Sequence, residues 1–178
     1  MTATTFVSPL GEIEITKATA TDLAAAMAIL DEAATRLCAR GIHQWSSPPP
    51  PGLWRLIERE IDAGYLYLVK VDNSARTIGL FRLRGEDGYW PATARATPGA
   101  AGYVYSLALC NDACGYGIGQ QILQWIGDSL REQQCRYLRI DCMAANARLR
   151  QYYEAQGFVY CGQVVDGDYT LALYQLTL

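Results

Sequence analysis

A single histidine, His43, stands among 178 residues, and that scarcity removes whole classes of chemistry. A Ser-His-Asp or Cys-His relay would have to run through it. No Gly-x-Ser-x-Gly turn is present to expose a serine nucleophile. His43 lies in the stretch Arg40-Gly-Ile-His-Gln-Trp-Ser, which reads as a surface or substrate-side loop. Six cysteines occur (Cys38, Cys110, Cys114, Cys135, Cys142, Cys161), but no pair is spaced as Cys-x-x-Cys. A zinc site would be nearly all thiolate at irregular intervals, so no metal is expected. Basic residues are in slight deficit, 15 Lys and Arg against 18 Asp and Glu, for a net charge of −3. A domain that relied on neutralising phosphates would carry a basic excess, which argues against a nucleic-acid partner. No apolar run reaches the roughly 18 residues that span a bilayer, so no membrane partner is expected. The opening MTATTFVSPLGEIEI lacks the basic start and apolar run of a secretory signal. A cytoplasmic location with reduced thiols is the expectation.

What is present is globular: 51% hydrophobic and 19% charged residues. A chain of this length should bury roughly 70% of its extended surface, so residues 1–178 are expected to form a single domain. Ile13 to Thr16 reads as a strand. Thr21-Asp22 supplies a cap before Leu23 to Cys38, where Leu23, Met27, Leu30 and Ala34 share a helical face. Leu53 to Ala63 repeats that periodicity and Gly64 stops it. Two strands follow, Tyr65 to Val71 and Thr77 to Arg84, joined by the turn-forming Asp72-Asn73-Ser74-Ala75. Glu86 to Gly102 is a Gly/Pro/Ala-rich loop containing Trp90. The rest reads as strand (Tyr103 to Cys110), helix (Gly117 to Arg131), strand (Tyr137 to Met143), helix (Ala147 to Gln156) and two strands (Phe158 to Val165, Tyr169 to Thr177). That order predicts a mixed α/β fold built on one sheet.

The informative segment is Tyr103-Val-Tyr-Ser-Leu-Ala-Leu-Cys110 followed by Asn-Asp-Ala-Cys-Gly115-Tyr-Gly117-Ile-Gly119-Gln-Gln. Strand, glycine-rich turn and helix follow directly. Glycines at three alternate positions leave a run of N–H groups that no side chain shields, at the positive end of a helix dipole. Gly115 to Gln121 contains no acid, although acids normally favour a first helical turn. A bare helix opening of this kind is a phosphate or pyrophosphate cradle. The alternative is a turn whose glycines serve close packing. A Walker loop fails because Gly119 is followed by Gln120 and Gln121, with no lysine or hydroxyl. A Rossmann fingerprint fails because Gln120 occupies its third glycine position and the glycines begin five residues after the strand.

A second stretch, Asp141-Cys-Met-Ala-Ala-Asn146-Ala-Arg-Leu-Arg-Gln-Tyr-Tyr153-Glu-Ala-Gln-Gly157-Phe158, brackets a helix between the N-cap Asn146 and the C′ residue Gly157. Asn146 and Tyr153 are almost two turns apart and point to one side, roughly 10 Å from each other. They can meet one elongated ligand. The alternative is an ordinary capped helix with Tyr153 in the core.

Together these stretches resemble the GNAT superfamily of acyl-CoA-dependent N-acetyltransferases. The family's Gln/Arg-x-x-Gly-x-Gly/Ala turn is matched by Cys114-Gly115-Tyr116-Gly117-Ile118-Gly119, with Cys114 in place of Gln or Arg. The family's Asn-x6-Tyr-Glu-x-x-Gly-Phe segment is matched by Asn146 to Phe158. The resemblance implies a single mixed, mostly antiparallel sheet flanked by helices. It implies acetyl-CoA as cosubstrate and an amine acceptor on a small molecule or peptide. Backbone amides of Cys114, Gly115, Tyr116, Gly117, Ile118, Gly119 and Gln120 would hold the pyrophosphate. The strand Leu107-Ala108-Leu109 would pair with pantetheine and supply oxyanion donors. Asn146 would contact the same ligand, and Tyr153 would touch it while protonating the departing thiolate, with Tyr152 as the alternative acid. Glu86, Asp87 and Asp112 read as solvated loop residues, so no base is evident. Trp45, Trp54 and Trp90 fall in the region that shapes the acceptor pocket in this family, where an aromatic wall suits a cationic amine. A homodimer through the C-terminal strands is compatible with this reading. Two rivals remain: a non-catalytic acyl-CoA-binding module, and an interaction domain whose glycines are structural.

Overall fold

The computed structural model describes residues 4–42, 44–71, 76–90 and 99–178. His43 and the expected turn at residues 72–75 lie outside them. Among the described residues eight strands, β1 (Thr4–Ser8), β2 (Gly11–Lys17), β3 (Leu66–Val71), β4 (Thr77–Arg84), β5 (Ala101–Leu109), β6 (Tyr137–Met143), β7 (Val159–Asp166) and β8 (Tyr169–Thr177), form one sheet in the order β1-β2-β3-β4-β5-β6-β8-β7. The β5–β6 pairing is parallel; β1–β2, β2–β3, β3–β4, β6–β8 and β7–β8 are antiparallel. Among the described residues four α-helices complete it: α1 (Leu23–Cys38), α2 (Leu53–Asp62), α3 (Ile118–Glu132) and α4 (Ala147–Ala155). Among the described residues, no helix is long and apolar enough to cross a membrane.

The chain divides into two compact units, Met1–Arg82 with Ser106–Gln121 and Leu83–Tyr105 with Ile122–Leu178. Strands β4 and β5 and helix α3 each pass from one unit to the other. In the first unit, α1 turns Ala26, Met27, Ile29, Leu30 and Ala33 onto a core with Ile57 and Ile61 of α2. Leu66 and Leu68 of β3, Leu80 of β4 and Ala108 of β5 complete it. β3 is buried along nearly its whole length, which suits its unbroken Leu-Tyr-Leu-Val run better than alternation would. In the second unit, β8 lies between β6 and β7, and its Leu173 packs with Trp90, Ala101 and Tyr103.

Several boundaries differ from the sequence reading for identifiable reasons. β1 was not expected; its pairing with β2 closes through Ser8, whose Oγ accepts from Leu10 N at 3.1 Å and donates to Gly11 O at 3.0 Å. Asp22 does not cap α1: its carboxylate accepts from Thr19 N at 2.8 Å, closing a single 3-10 turn ahead of the helix. β5 begins at Ala101, inside the expected loop, because β6 supplies hydrogen-bond partners there. Trp90, expected in an irregular loop, is 4% exposed.

Close approach decides Gly79 of β4. A Cβ there would stand 2.7 Å from Ala108 O and 2.6 Å from Leu109 Cδ2, so β4 and β5 touch through a position with no side chain. Gly79→Ala is expected to lower the unfolding free energy by about 2 kcal/mol in chemical denaturation. Gly85→Ala, where a Cβ meets open space, is expected to shift it by less than about 0.5 kcal/mol.

Candidate active site

In the first unit the end of β5, a single 3-10 turn (Asn111–Ala113) and the start of α3 form one continuous feature. Two apolar residues pin it, Ala113 at 0% exposure and Ile118 at 1%. Between them Cys114, Gly115, Tyr116 and Gly117 are exposed. Gly115 and Gly117 take φ of +89° and +76°, left-handed values that admit a side chain only with strain. The first helical bonds run from Gln120 N and Gln121 N to Gly117 O, at 3.0 and 3.2 Å. Ahead of them, the amides of Gly115, Tyr116, Gly117, Ile118 and Gly119 have no acceptor among the described residues. The first turn of α3 carries no acid. Unpaired donors and the positive end of a 15-residue helix thus coincide at an exposed turn, the electrostatic requirement for gripping a phosphate or pyrophosphate.

The same unit braces this turn with residues that sequence reasoning missed. Arg36 of α1 donates from Nη1 and Nη2 to Leu109 O, each at 3.1 Å, and from Nη1 to Asn111 Oδ1. Glu32, one helical turn earlier, accepts from Asn111 N at 2.6 Å. Arg76 pairs with Asp112, and Gln121 Nε2 donates to Val7 O at 3.0 Å. Cys114, where the family pattern carries Gln or Arg, fixes the turn in its own way, its thiol donating to Cys110 O at 3.3 Å. No spacing could have announced Arg36 or Glu32, since their partners lie more than seventy residues away.

In the second unit, Asn146 and Gly157 bracket α4 as read. Asn146 is 7% exposed, and its Oδ1 accepts from Leu149 N at 3.1 Å, so that oxygen caps the helix. Tyr153 is 4% exposed, its ring 5.7 Å from those of Tyr152 and Phe158 and 5.9 Å from that of Tyr174. Burial first, then the neighbouring Cys142 and Asp141, push its phenol well above the ordinary value near 10. It therefore holds its proton throughout the neutral range. Tyr152, which is less buried, is raised by burial as well.

Asp87 corrects the sequence reading. It is 7% exposed instead of solvated, and its carboxylate accepts from Tyr89 N. Burial and then the hydrogen bond to Asp87 raise the Tyr105 phenol above its ordinary value. Tyr89 donates to Asp166 Oδ2 at 2.7 Å, which with burial and the nearby carboxylates moves its phenol up to about 12. Trp90 offers no free wall: the Arg139 guanidinium lies 4.4 Å from its ring centre, and Arg139 Nη1 donates to Tyr103 OH at 2.7 Å. Trp54 is 49% exposed, and Trp45 packs against the core of the first unit. Leu107, Ala108, Leu109 and Cys114 to Gln120 are thus brought together in one unit, and Asn146 and Tyr153 in the other. Glu86 and Asp112 stand exposed, as expected.

Known proteins carry the same architecture. A protein from Listeria monocytogenes 4b F2365 described as an acetyltransferase of the GNAT family superposes with a TM-score of 0.80 at 22% identity, covering 98% of this chain and 100% of that one. The yncA protein of Salmonella typhimurium, solved with its cofactor acetyl-CoA, gives 0.63 at 15% identity, covering 93% of each chain. The uncharacterized N-acetyltransferase YesJ of Bacillus subtilis (strain 168) is 24% identical over 137 residues, 72% of this chain and 71% of that protein. The sequence profile described as Acetyltransferase (GNAT) family matches residues 30–158, from within α1 to Phe158, taking in the amide-lined turn as well as Asn146 and Tyr153. The chain therefore belongs to the Acetyltransferase (GNAT) family, enzymes that use acetyl-CoA as cosubstrate.

Proposed function

We propose that this chain moves the acetyl group of acetyl-CoA to a primary amine of a small molecule or peptide by direct attack, working as one domain over residues 1–178. The observation that carries the reading is the row of amides from Gly115 to Gly119, without acceptors among the described residues, on a turn whose Gly115, Tyr116 and Gly117 are exposed and at the start of a helix with no acid in its first turn. Acetyl-CoA brings a thioester, activated toward an amine, and a diphosphate of the charge this turn is built to receive. The turn from Cys114 to Gln120 holds the diphosphate through the amides of Gly115 to Gly119, those of Cys114 and Gln120 being bonded to Asn111 O and Gly117 O, and Leu107-Ala108-Leu109 pair with the pantetheine arm and aim N–H groups at the carbonyl oxygen. Asn146 meets the same ligand. A proton must reach sulfur when the C–S bond breaks, and Tyr153, which the resemblance assigns, keeps its own at neutral pH. Water takes the proton that the amine loses. That the profile spans both compact units supports a single working domain. Six free cysteines suit a reducing, cytoplasmic setting. A homodimer would form through the edge strand β7, where Val159, Tyr160 and Val165 are exposed.

The cradle is tested at its two left-handed glycines. Gly115→Ala and Gly117→Ala each force a Cβ into φ near +80°, and each is expected to weaken acetyl-CoA binding at least about tenfold in calorimetry.

Loss of the acid should appear in turnover. Tyr153→Phe is expected to lower kcat about a hundredfold, followed by thiol release across a panel of amines, with acetyl-CoA affinity changed less than about threefold. Full turnover in that variant would remove the assignment and favour Tyr152.

The pH profile has a defined sign. A phenol acid works while protonated, and its activity falls as pH rises through its own pKa, here raised above 10. The kcat profile should therefore show no descending limb up to about pH 9.5. A limb near pH 8 would point to another acid.

A further inference from the structure

β5 changes hand at one residue. Ser106 has φ of +51°, a left-handed value that a residue with a Cβ seldom takes, while the strand continues on both sides. The register with β6 covers Ala101 to Val104 and stops two residues before it. Leu107 follows immediately.

Ser106 Oγ accepts from Arg82 Nε at 3.2 Å, and Arg82 Nη1 lies 3.8 Å from Glu60 Oε2. The Arg82 and Glu60 side chains are 12% and 7% exposed. Glu60 lies beside Ile57 and Ile61 as one of the three buried residues of α2. A buried ion pair on a helix face that could have been wholly apolar is weak support for stability, because desolvating both charges offsets most of their attraction. Its presence here calls for another role, and the Nε of its arginine reaches the left-handed serine.

We propose that Glu60 and Arg82 form a clamp that holds Ser106 left-handed and so aims the backbone of Leu107-Ala108-Leu109. Arg82 and Ser106 are then positioning residues for the transfer. The inference rests on the reading that this tripeptide faces the acetyl group and pantetheine. Glu60 anchors the guanidinium, Arg82 fixes the hydroxyl, and the hydroxyl fixes the backbone whose direction changes at Ser106. Without the clamp, Ser106 relaxes toward ordinary extended values and the following amides turn with it. Glycine at 106 would take the same φ without strain.

That last property supplies the test. Ser106→Ala keeps the Cβ but loses the acceptor, and Ser106→Gly loses both the acceptor and the strain. Ser106→Ala is expected to lower kcat about tenfold, leave the acetyl-CoA dissociation constant within about threefold, and speed amide hydrogen exchange at Leu107 to Leu109 in the ligand-free protein. Ser106→Gly is expected to recover most of that loss. Glu60→Gln/Arg82→Gln, which removes the charges together so that neither is left buried alone, should resemble Ser106→Ala, and adding Ser106→Gly to it should restore the rate. A merely structural ion pair would show a lowered melting temperature with no rescue by glycine, and that overturns the clamp. Unchanged exchange at Leu107 to Leu109 in Ser106→Ala overturns it too. Should the unaltered protein fail to bind acetyl-CoA, the functional reading falls while the exchange measurement still decides the clamp.

Discussion

A row of backbone amides kept bare at the opening of α3 is the constraint that the first unit is arranged around. Bare donors cannot be buried without partners, so the turn from Cys114 to Gly117 stays at the surface. It must nevertheless be rigid, since a loop that collapsed onto its own carbonyls would lose its charge complementarity. Ala113 and Ile118 supply that rigidity by burying the residues on either side. Ile118, Ile122, Ile126 and Leu130 continue at four-residue intervals as the buried stripe of α3, fixing the helix axis and hence the direction of its dipole. Arg36 and Glu32 do the same for the strand end by bonding Leu109 and Asn111.

The second unit solves a different problem, that of ordering polar groups inside an aromatic layer. Arg139 is 3% exposed, and it is accommodated by the faces of Trp90, Tyr103 and Tyr137 together with bonds to Tyr103 OH and Gln175 Oε1. Tyr174 donates to Glu154 Oε1 at 2.9 Å and accepts from Arg150 Nε at 3.0 Å, tying α4 to β8. The Tyr153 ring lies 5.9 Å from that of Tyr174. Its surroundings penalise the phenolate and not the phenol, so the environment that makes it a packing residue also keeps it a proton donor. The core reading and the acid reading of Tyr153 are thus compatible.

Much of the fold was legible because the elements announce themselves locally. α1, β4, β6 and β8 fall on the residues their periodicity marks, and Gly157 ends α4 with φ of +86°. The misses share one cause, dependence on distant partners. β1 is a short run that counts as a strand through its pairing with β2. Asp87 has the composition of a solvated turn, and the bonds it accepts from Tyr89 N and the Tyr105 hydroxyl make it a buried acceptor. Trp90 could have faced a ligand until Arg139, from β6, covered it.

The order of strand, glycine turn and helix, with no acid in the helix opening, is written in consecutive residues. Sequence alone therefore marked where unpaired amides and the positive end of a helix coincide, because backbone geometry and the helix dipole are local properties. The Asn146 to Phe158 pattern is local in the same way, and so is its family resemblance. Which side chains stiffen that turn, which carboxylate loses its water, and why a serine takes a glycine's conformation were decided by tertiary structure. Glu60, Arg82 and Ser106 lie far apart along the chain and acquire meaning only where α2, β4 and β5 pack. Burial and electrostatic pairing depend on neighbours that folding alone selects.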